Sequence, residues 1–335
     1  MSTGPLIQTR ELSIGYAHTH IAGGLNLQLH AGQFVCLLGA NGSGKSTLLR
    51  TLAALQPSTG GELLLQGKPI QKIRSADIAK IISLVLTDRV GAGNLDVYAL
   101  IALGRYPHTG WFGILHEQDK QIIEQAIKAA RVEGLLTRKF DELSDGEAQK
   151  VMLARALAQD TPLIMLDEPT AHIDLPGRIQ LMQRLHHLSR TEGKSILIST
   201  HELDLALQVA DQIWLLLADG TLHTGTPEDL VLNGTFEAAF NREGVVFDRA
   251  TGSFPVYSPF RNKAIILLGE GAPFLWTKKA LLRAGYGVAE KGSKEAPTVV
   301  VYEEEGRIWW KYNREGKSKT SDTIAGLLEL VHRAL

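Results

Sequence analysis

One octapeptide constrains this chain more than any other feature. Gly39-Ala40-Asn41-Gly42-Ser43-Gly44-Lys45-Ser46 fits the pattern GxxxxGK[ST]. Its flanks are those the pattern needs: Gln33 to Leu38 is a nearly continuous apolar run, the mark of a strand buried on both faces, and Lys45 to about Leu55 reads as a helix stopped by Pro57 and Gly60. Successive backbone N–H groups of such a loop, together with the positive end of the helix, form a nest for phosphate groups. Lys45 is expected to reach the β- and γ-phosphates of a nucleoside triphosphate, and Ser46 to hold the accompanying Mg²⁺. Gly39, Asn41, Gly42, Ser43, Gly44 and Thr47 complete the expected phosphate cradle. A strand, a phosphate loop and a helix in that order belong to α/β layering, in which helices cover a parallel sheet.

The strand patterns elsewhere agree. Leu163-Ile164-Met165-Leu166-Asp167-Glu168 is an apolar strand that ends in two carboxylates, at the end of the strand where such sheets place their ligands. Asp167 is expected to bind Mg²⁺ directly or through water, and Glu168 to orient and activate the attacking water. Ser195 to Ser199 repeats the buried-strand pattern and leads to His201. Leu6 to Gly15 and the alternating Leu25 to Leu29 read as antiparallel strands, while Gln118 to Glu133 and Gly146 to Ala158 carry helical spacing.

Between the two carboxylate- and lysine-bearing segments lies Leu143-Ser144-Asp145-Gly146-Glu147, opening a helix in which Arg155 sits within Ala-Arg-Ala. In company with Lys45 and Asp167, this segment resembles the signature motif, usually LSGGQ, of ATP-binding cassette (ABC) ATPases. The resemblance covers about Leu6 to Gly225. It implies a P-loop NTPase of the ABC ATPase type, with a parallel core sheet, an antiparallel β subdomain and a helical signature subdomain. It also implies that Tyr16 stacks on adenine, that Ala171-His172-Ile173-Asp174 is the D-loop, and that His201 senses the γ-phosphate and acts with Glu168 in catalysis. The family works as a head-to-tail dimer with two ATP molecules between the subunits. Ser144 and the amides around Gly146 of one subunit would then meet the γ-phosphate held by the other, with Asp174 helping to arrange the partner's site. Local readings stay open beside these: Tyr16 as packing at a strand end, Asp174 as a plain N-cap, His201 as a helix-capping residue.

Two departures from the family pattern stand out. Asp145 and Glu147 replace the usual glycine and glutamine, and a carboxylate ~4 Å from a phosphate charge costs about 1 kcal/mol in water and about 4 kcal/mol in a partly buried site. Both side chains are therefore expected to point away from the nucleotide, and Asp145 is left out of the site. After strand Ile82 to Leu86, Thr87 stands where the family has a Q-loop glutamine, followed by Asp88. Threonine keeps an oxygen but is shorter, so a metal contact there would run through water or fall to Asp88.

Val97 to Gly113 reads as a helix followed by a loop crowded with Tyr106, Trp111 and Phe112, more aromatic surface than a solvated loop exposes without a partner. Its Gly-Arg-x-Pro-His segment resembles the ATPase subunits of bacterial importers for iron–siderophore complexes, haem and cobalamin. That resemblance makes Tyr106, Trp111 and Phe112 the expected docking surface for a polytopic permease, with packing inside the domain as the other reading. It implies further a substrate-binding protein reached through the permease, and a peripheral place on the cytoplasmic face of the bacterial inner membrane. Iron–siderophore complexes are the first expectation, haem or cobalamin the second.

Charge and composition narrow the partners. Lys+Arg 35 against Asp+Glu 36 leaves a net charge of -1, which gives no global field for nucleic acid or anionic lipid. Apolar runs such as Ile213 to Ala218 fall far short of the ~20 residues of a spanning helix, and Met1 to Leu12 lacks the continuous apolar stretch of a secretory signal. The single Cys36 cannot form an intrachain disulfide and suits a reducing compartment. The alternative is a soluble non-transport ABC ATPase acting on nucleic acid or a protein complex. The interval from Thr47 to Ser144 leaves no room for the long coiled coil of the genome-maintenance members.

A domain boundary is expected near Pro255, giving a nucleotide-binding domain over 1–255 and a small α+β accessory domain over 256–335. The latter shows strand patterns at Ala264 to Leu268, Thr298 to Tyr302 and Arg307 to Tyr312, and helical patterns at Trp276 to Ala284 and Thr323 to Ala334. Gly269-Glu270-Gly271-Ala272-Pro273-Phe274 is a partial nucleotide loop whose third glycine is replaced by Phe274, and it reads as a turn. Position alone suggests that this domain regulates the cassette or adds to dimer contact.

Overall fold

The fold follows from where the chain can bury its apolar runs. The computed structural model describes residues 4–16, 19–87, 93–110, 113–171, 173–240, 247–249, 252–254, 264–289 and 296–334. Two compact units divide the chain: Met1–Asn241 with Arg249–Gly252, and Arg242–Asp248 with Ser253–Leu335. Pro255, where the sequence places a boundary, lies outside the described residues.

The first unit opens with β1 (Ile7–Tyr16), β2 (Thr19–Leu25) and β3 (Gln28–Leu29), passes through β4 (Phe34–Leu38) and α1 (Lys45–Leu52), and returns with β5 (Gly60–Leu65) and β6 (Lys68–Pro69). Strands β2, β1, β5 and β6 lie in that order in an antiparallel sheet, with β3 also on β1. The single strand expected over Leu25 to Leu29 is interrupted because a side chain enters the ladder. The Thr9 hydroxyl donates to Leu25 O at 2.7 Å and accepts from Leu27 N at 2.8 Å.

The chain then forms α2 (Ser75–Ile78), β7 (Ile82–Val85), α3 (Val97–Ala102), α4 (Glu117–Ala130), α5 (Asp145–Ala158), β8 (Leu163–Asp167), α6 (Leu175–Glu192) and β9 (Ser195–Ser199). It continues through α7 (Leu203–Val209), β10 (Gln212–Leu216), β11 (Leu222–Gly225), α8 (Pro227–Leu232) and α9 (Thr235–Phe240). The second sheet has the order β11-β10-β4-β9-β8-β7, parallel throughout except for β11 on β10. Every residue of β4, β8 and β9 is buried, which is why these segments read as unbroken apolar runs. Each fully buried Leu, Ile or Val contributes about 1.5–3 kcal/mol relative to exposure, so the middle of this sheet is the most strongly held part of the unit.

The second unit comprises β12 (Ala264–Leu268), α10 (Gly271–Arg283), β13 (Gly287–Ala289), β14 (Thr298–Glu304), β15 (Arg307–Arg314), β16 (Lys317–Ser321) and α11 (Ile324–Ala334). Its sheet has the order β13-β12-β14-β15-β16, with β12 parallel to both neighbours and the remaining pairs antiparallel. Ile265, Leu281, Val299, Trp310, Leu327 and Val331 form its core. Helix α10 starts earlier than its apolar spacing suggests: Gly271 to Phe274 are its first turn, where Pro273 costs no intrahelical hydrogen bond. Among the described residues, no helix is long and apolar enough to cross a membrane.

Candidate functional site

The order of the parallel sheet brings the chemistry together. Strands β4, β9 and β8 are adjacent and run the same way, so the segments that leave their carboxyl ends meet at one edge: the glycine loop, His201 and the Asp167–Glu168 pair. In the loop, Gly39 has φ 155° and a Cβ there would lie 2.2 Å from Leu216 O; at Gly44, φ is 104° and a Cβ would lie 2.3 Å from Ile21 Cγ2. Only glycine fits either position. Lys45 is 5% exposed and its Nζ donates to Gly39 O at 3.0 Å and Ala40 O at 3.1 Å, 4.0 Å from Glu168 Oε1. Burial pushes its pKa below the ordinary lysine value, opposed by the charges of Glu168 and then Asp167. The Ser43 hydroxyl is buried without a hydrogen-bond partner inside the same loop, an orphan that a phosphate oxygen satisfies. This chemistry fits a nucleotide phosphate with its Mg²⁺, for which Ser46 follows the lysine and Asp167 supplies a buried carboxylate.

Asp167 and Glu168 differ sharply. Asp167 is 2% exposed and its Oδ1 accepts the Ser199 hydroxyl at 2.5 Å, a contact set by the Asp167↔Ser199 register between β8 and β9. Glu168 leaves the strand with φ 48°, a conformation that costs a non-glycine residue about 1–3 kcal/mol. That turn is held by its N–H, which donates to Ser199 O at 3.1 Å and Ser199 Oγ at 3.0 Å, and it directs the side chain to His201, with Oε1 2.5 Å from Nε2. A carboxylate so placed between Lys45 and an imidazole has the geometry of a proton acceptor oriented by its neighbours. Ser199 was not singled out by sequence reasoning. Its signal was a hydroxyl pair, Ser199-Thr200, closing an otherwise apolar strand.

The remaining expected residues fall around this centre. Tyr16 ends β1 with 53% of its surface exposed and its hydroxyl 3.4 Å from Thr47 Oγ1, so one ring faces solvent beside the phosphate loop. Thr87 follows β7, the neighbour of β8, and its hydroxyl donates to Asp167 O at 3.0 Å; Asp88 lies outside the described residues. Asp174 caps α6 by accepting from Gly177 N at 3.1 Å. Arg178, which the sequence reading did not name, ties that turn to the segment behind His201 through Ile173 O and Glu202 Oε1, both at 2.6 Å. His172 lies outside the described residues.

In the signature segment, Ser144 caps α5 and Glu147 completes a capping box. Glu147 Oε2 accepts from Ser144 N at 2.9 Å and from Ser144 Oγ at 2.8 Å, while Oε1 accepts from Arg138 at 3.0 Å. The Ser144 N–H, then its hydroxyl, hold the Glu147 carboxyl below the usual range. The carboxylate is therefore committed to the start of the helix and to Arg138, and Gly146 in the same turn stays free of a side chain.

Around the Gly104-Arg105 segment the structure separates support from surface. Arg105 is buried and pairs with Asp119 at 2.9 Å, also donating to Ala158 O at 3.0 Å, and His108 contacts Gln159 O at 2.8 Å. These polar ties fasten the loop to α4 and α5 and leave Tyr106 74% exposed; Tyr98, Leu103 and Ile114 of the same stretch of chain are exposed too. Trp111 and Phe112 lie outside the described residues.

Comparison with known proteins follows the same division. Residues 22–171 match the family model described as ABC transporter, and residues 262–332 match the one described as iron ABC transporter C-terminal domain. An ABC transporter ATP-binding protein of Methanocaldococcus jannaschii is 35% identical over 284 residues, 84% of this chain and 98% of that protein. The iron(3+)-hydroxamate import ATP-binding protein FhuC of Bacillus subtilis is 32% identical over 261 residues, 78% of this chain and 94% of that one. Among solved structures, an inward-facing ABC transporter of metal-chelate type aligns with a TM-score of 0.62 at 25% identity, over 71% of this chain and 89% of its own. With the phosphate loop, the paired carboxylates and the histidine assembled as described, the chain belongs to the ABC transporter ATP-binding proteins, the ATPases that hydrolyse ATP for transport.

Proposed function

We propose that this ATPase energises a membrane importer of iron–siderophore complexes, hydrolysing ATP at two sites of a head-to-tail dimer. The observation that carries the reading is a cassette whose Lys45, Asp167, Glu168 and His201 converge at one sheet edge, in a chain that also matches an iron transporter C-terminal domain. The similarity to an iron-hydroxamate import protein supports the substrate class.

In this reading the ATP phosphates take over the Lys45 ammonium from Gly39 O and Ala40 O, and the Ser43 hydroxyl gains its missing partner. Mg²⁺, held by Ser46 and Asp167 with Thr87 beside them, neutralises charge on the phosphate oxygens when bound. Glu168 accepts the proton of the attacking water while His201 fixes its carboxylate and senses the γ-phosphate. Ser144, Gly146 and Asp174 of one subunit complete the site of the other. The Ser144 hydroxyl, now bonded to Glu147, turns to the phosphate as the dimer closes. Hydrolysis removes that bridge, and the opening is passed to the permease through Tyr106, with Trp111 and Phe112. The chain then works at the cytoplasmic face of the bacterial inner membrane, beneath a permease served by a substrate-binding protein. Affinity purification of the full-length chain from membranes tests this: a copurifying polytopic membrane protein, lost on Tyr106→Ser, is expected. Recovery with nucleic acid or with soluble proteins alone would refute the reading.

A further inference from the structure

A cavity of about 240 Å³ lies within the first unit, between α5 and α6. Its floor is apolar, formed by Leu153, Leu166 and Ile173. Its wall carries three cations, Arg131, Lys150 and Arg184, and none of the described residues lining it is an aspartate or glutamate. In a chain whose formal net charge is -1, this is a local excess of positive charge. Arg184 Nη2 reaches Lys128 O at 3.4 Å, but Nε is buried without a hydrogen-bond partner. Burial, and after it the Arg131 charge, hold the Arg184 guanidinium below its ordinary pKa; Glu192 and Glu133, which do not line the cavity, oppose that shift. A buried donor left unmet is costly, and a carboxylate or phosphate oxygen is the acceptor that a guanidinium fork matches best.

We propose that this cavity binds a small amphipathic organic anion, a carboxylate or phosphate monoester on an apolar body. The charged head meets Arg184, Arg131 and Lys150, and the tail covers Leu153, Leu166 and Ile173. The size admits a ligand of about ten to thirteen non-hydrogen atoms. The site is separate from the phosphate loop, yet it touches Pro169, next to Glu168, and α5, whose cap is Ser144. It does not depend on the importer reading, because its test reads binding to the full-length chain without nucleotide.

Isothermal titration calorimetry with octanoate, octyl phosphate and uncharged 1-octanol separates head from tail. Saturable one-to-one binding of an anion, about tenfold or more tighter than octanol, is expected. Preference for octyl phosphate assigns the phosphate class, and equal or tighter octanoate binding assigns the carboxylate. Lys150→Gln, at an exposed position, weakens the anion about threefold or more, and Arg184→Gln weakens it about tenfold or more. Octanol binding as tightly as the anions, no saturable binding, or wild-type affinity in both variants overturns the proposal.

Discussion

The two units use the same backbone device to different ends. In the second, non-glycine residues with positive φ sit in two-residue hairpin turns, Glu305-Gly306 between β14 and β15 and Glu315-Gly316 between β15 and β16, where the twist of the strands calls for that conformation. The first has the same turn at Gln66-Gly67 between β5 and β6, but there Glu168 also has nearly the same φ in no hairpin at all. There the turn aims a carboxylate at His201, and Ser199 holds it with two hydrogen bonds to its N–H. A conformation that only reverses the chain in the hairpins of both units sets, at Glu168, the direction of the carboxylate proposed as the proton acceptor. The first unit likewise keeps a buried lysine at its site, whereas the core of the second is built on apolar packing and a neutral bond from Trp310 Nε1 to Thr277 Oγ1 at 2.6 Å.

That contrast breaks most visibly at Glu168. Glu168→Gln keeps the size of the side chain and removes the proton acceptor, so ATP turnover is expected to fall by about 10²–10⁴-fold while nucleotide binding, measured by fluorescence titration, persists. Next comes the first unit's internal support. Asp119→Asn leaves Arg105 buried beside a neutral partner, and equilibrium denaturation is expected to show a loss of about 3–5 kcal/mol. The pH dependence has a definite sign: the His116 N–H, followed by Arg105, depresses the Asp119 pKa, so its contribution is complete above the usual carboxylate range and is lost as the pH falls through the lowered value. In the second unit, Thr277→Val strands the buried Trp310 N–H, for a loss of about 1–3 kcal/mol in that unit with turnover unchanged. A fall in turnover would join the two units functionally and blur the comparison. The smallest effect on the chain itself belongs to Tyr106→Ser, within about 0.5 kcal/mol because the side chain is exposed, though permease capture is expected to drop.

What could be read in the sequence was chemistry carried by contiguous residues. The glycine loop, the carboxylates that end β8 and the histidine beyond β9 each announce themselves within a few positions, and the parallel sheet, though not its strand order, is legible in their apolar runs. Partners far apart in sequence were not legible. Ser199 touches Asp167 only through the register of β9 on β8, Arg178 of α6 reaches Glu202 ahead of α7, and Arg105 meets Asp119 from the next helix. Strand β2 was missed because Gly23 and Gly24 erase its alternation, and the start of α10 because glycine and proline read as a turn although the first helical turn tolerates both.

If Glu168 is the proton acceptor and iron–siderophore import is the work its ATP turnover drives, one measurement reaches both. Cells whose own copy of this chain carries Glu168→Gln are supplied with a radioiron-loaded siderophore, and initial uptake is compared with that of wild-type cells at equal amounts of the protein. Uptake reduced to background is expected. Uptake at the wild-type rate would contradict this reading.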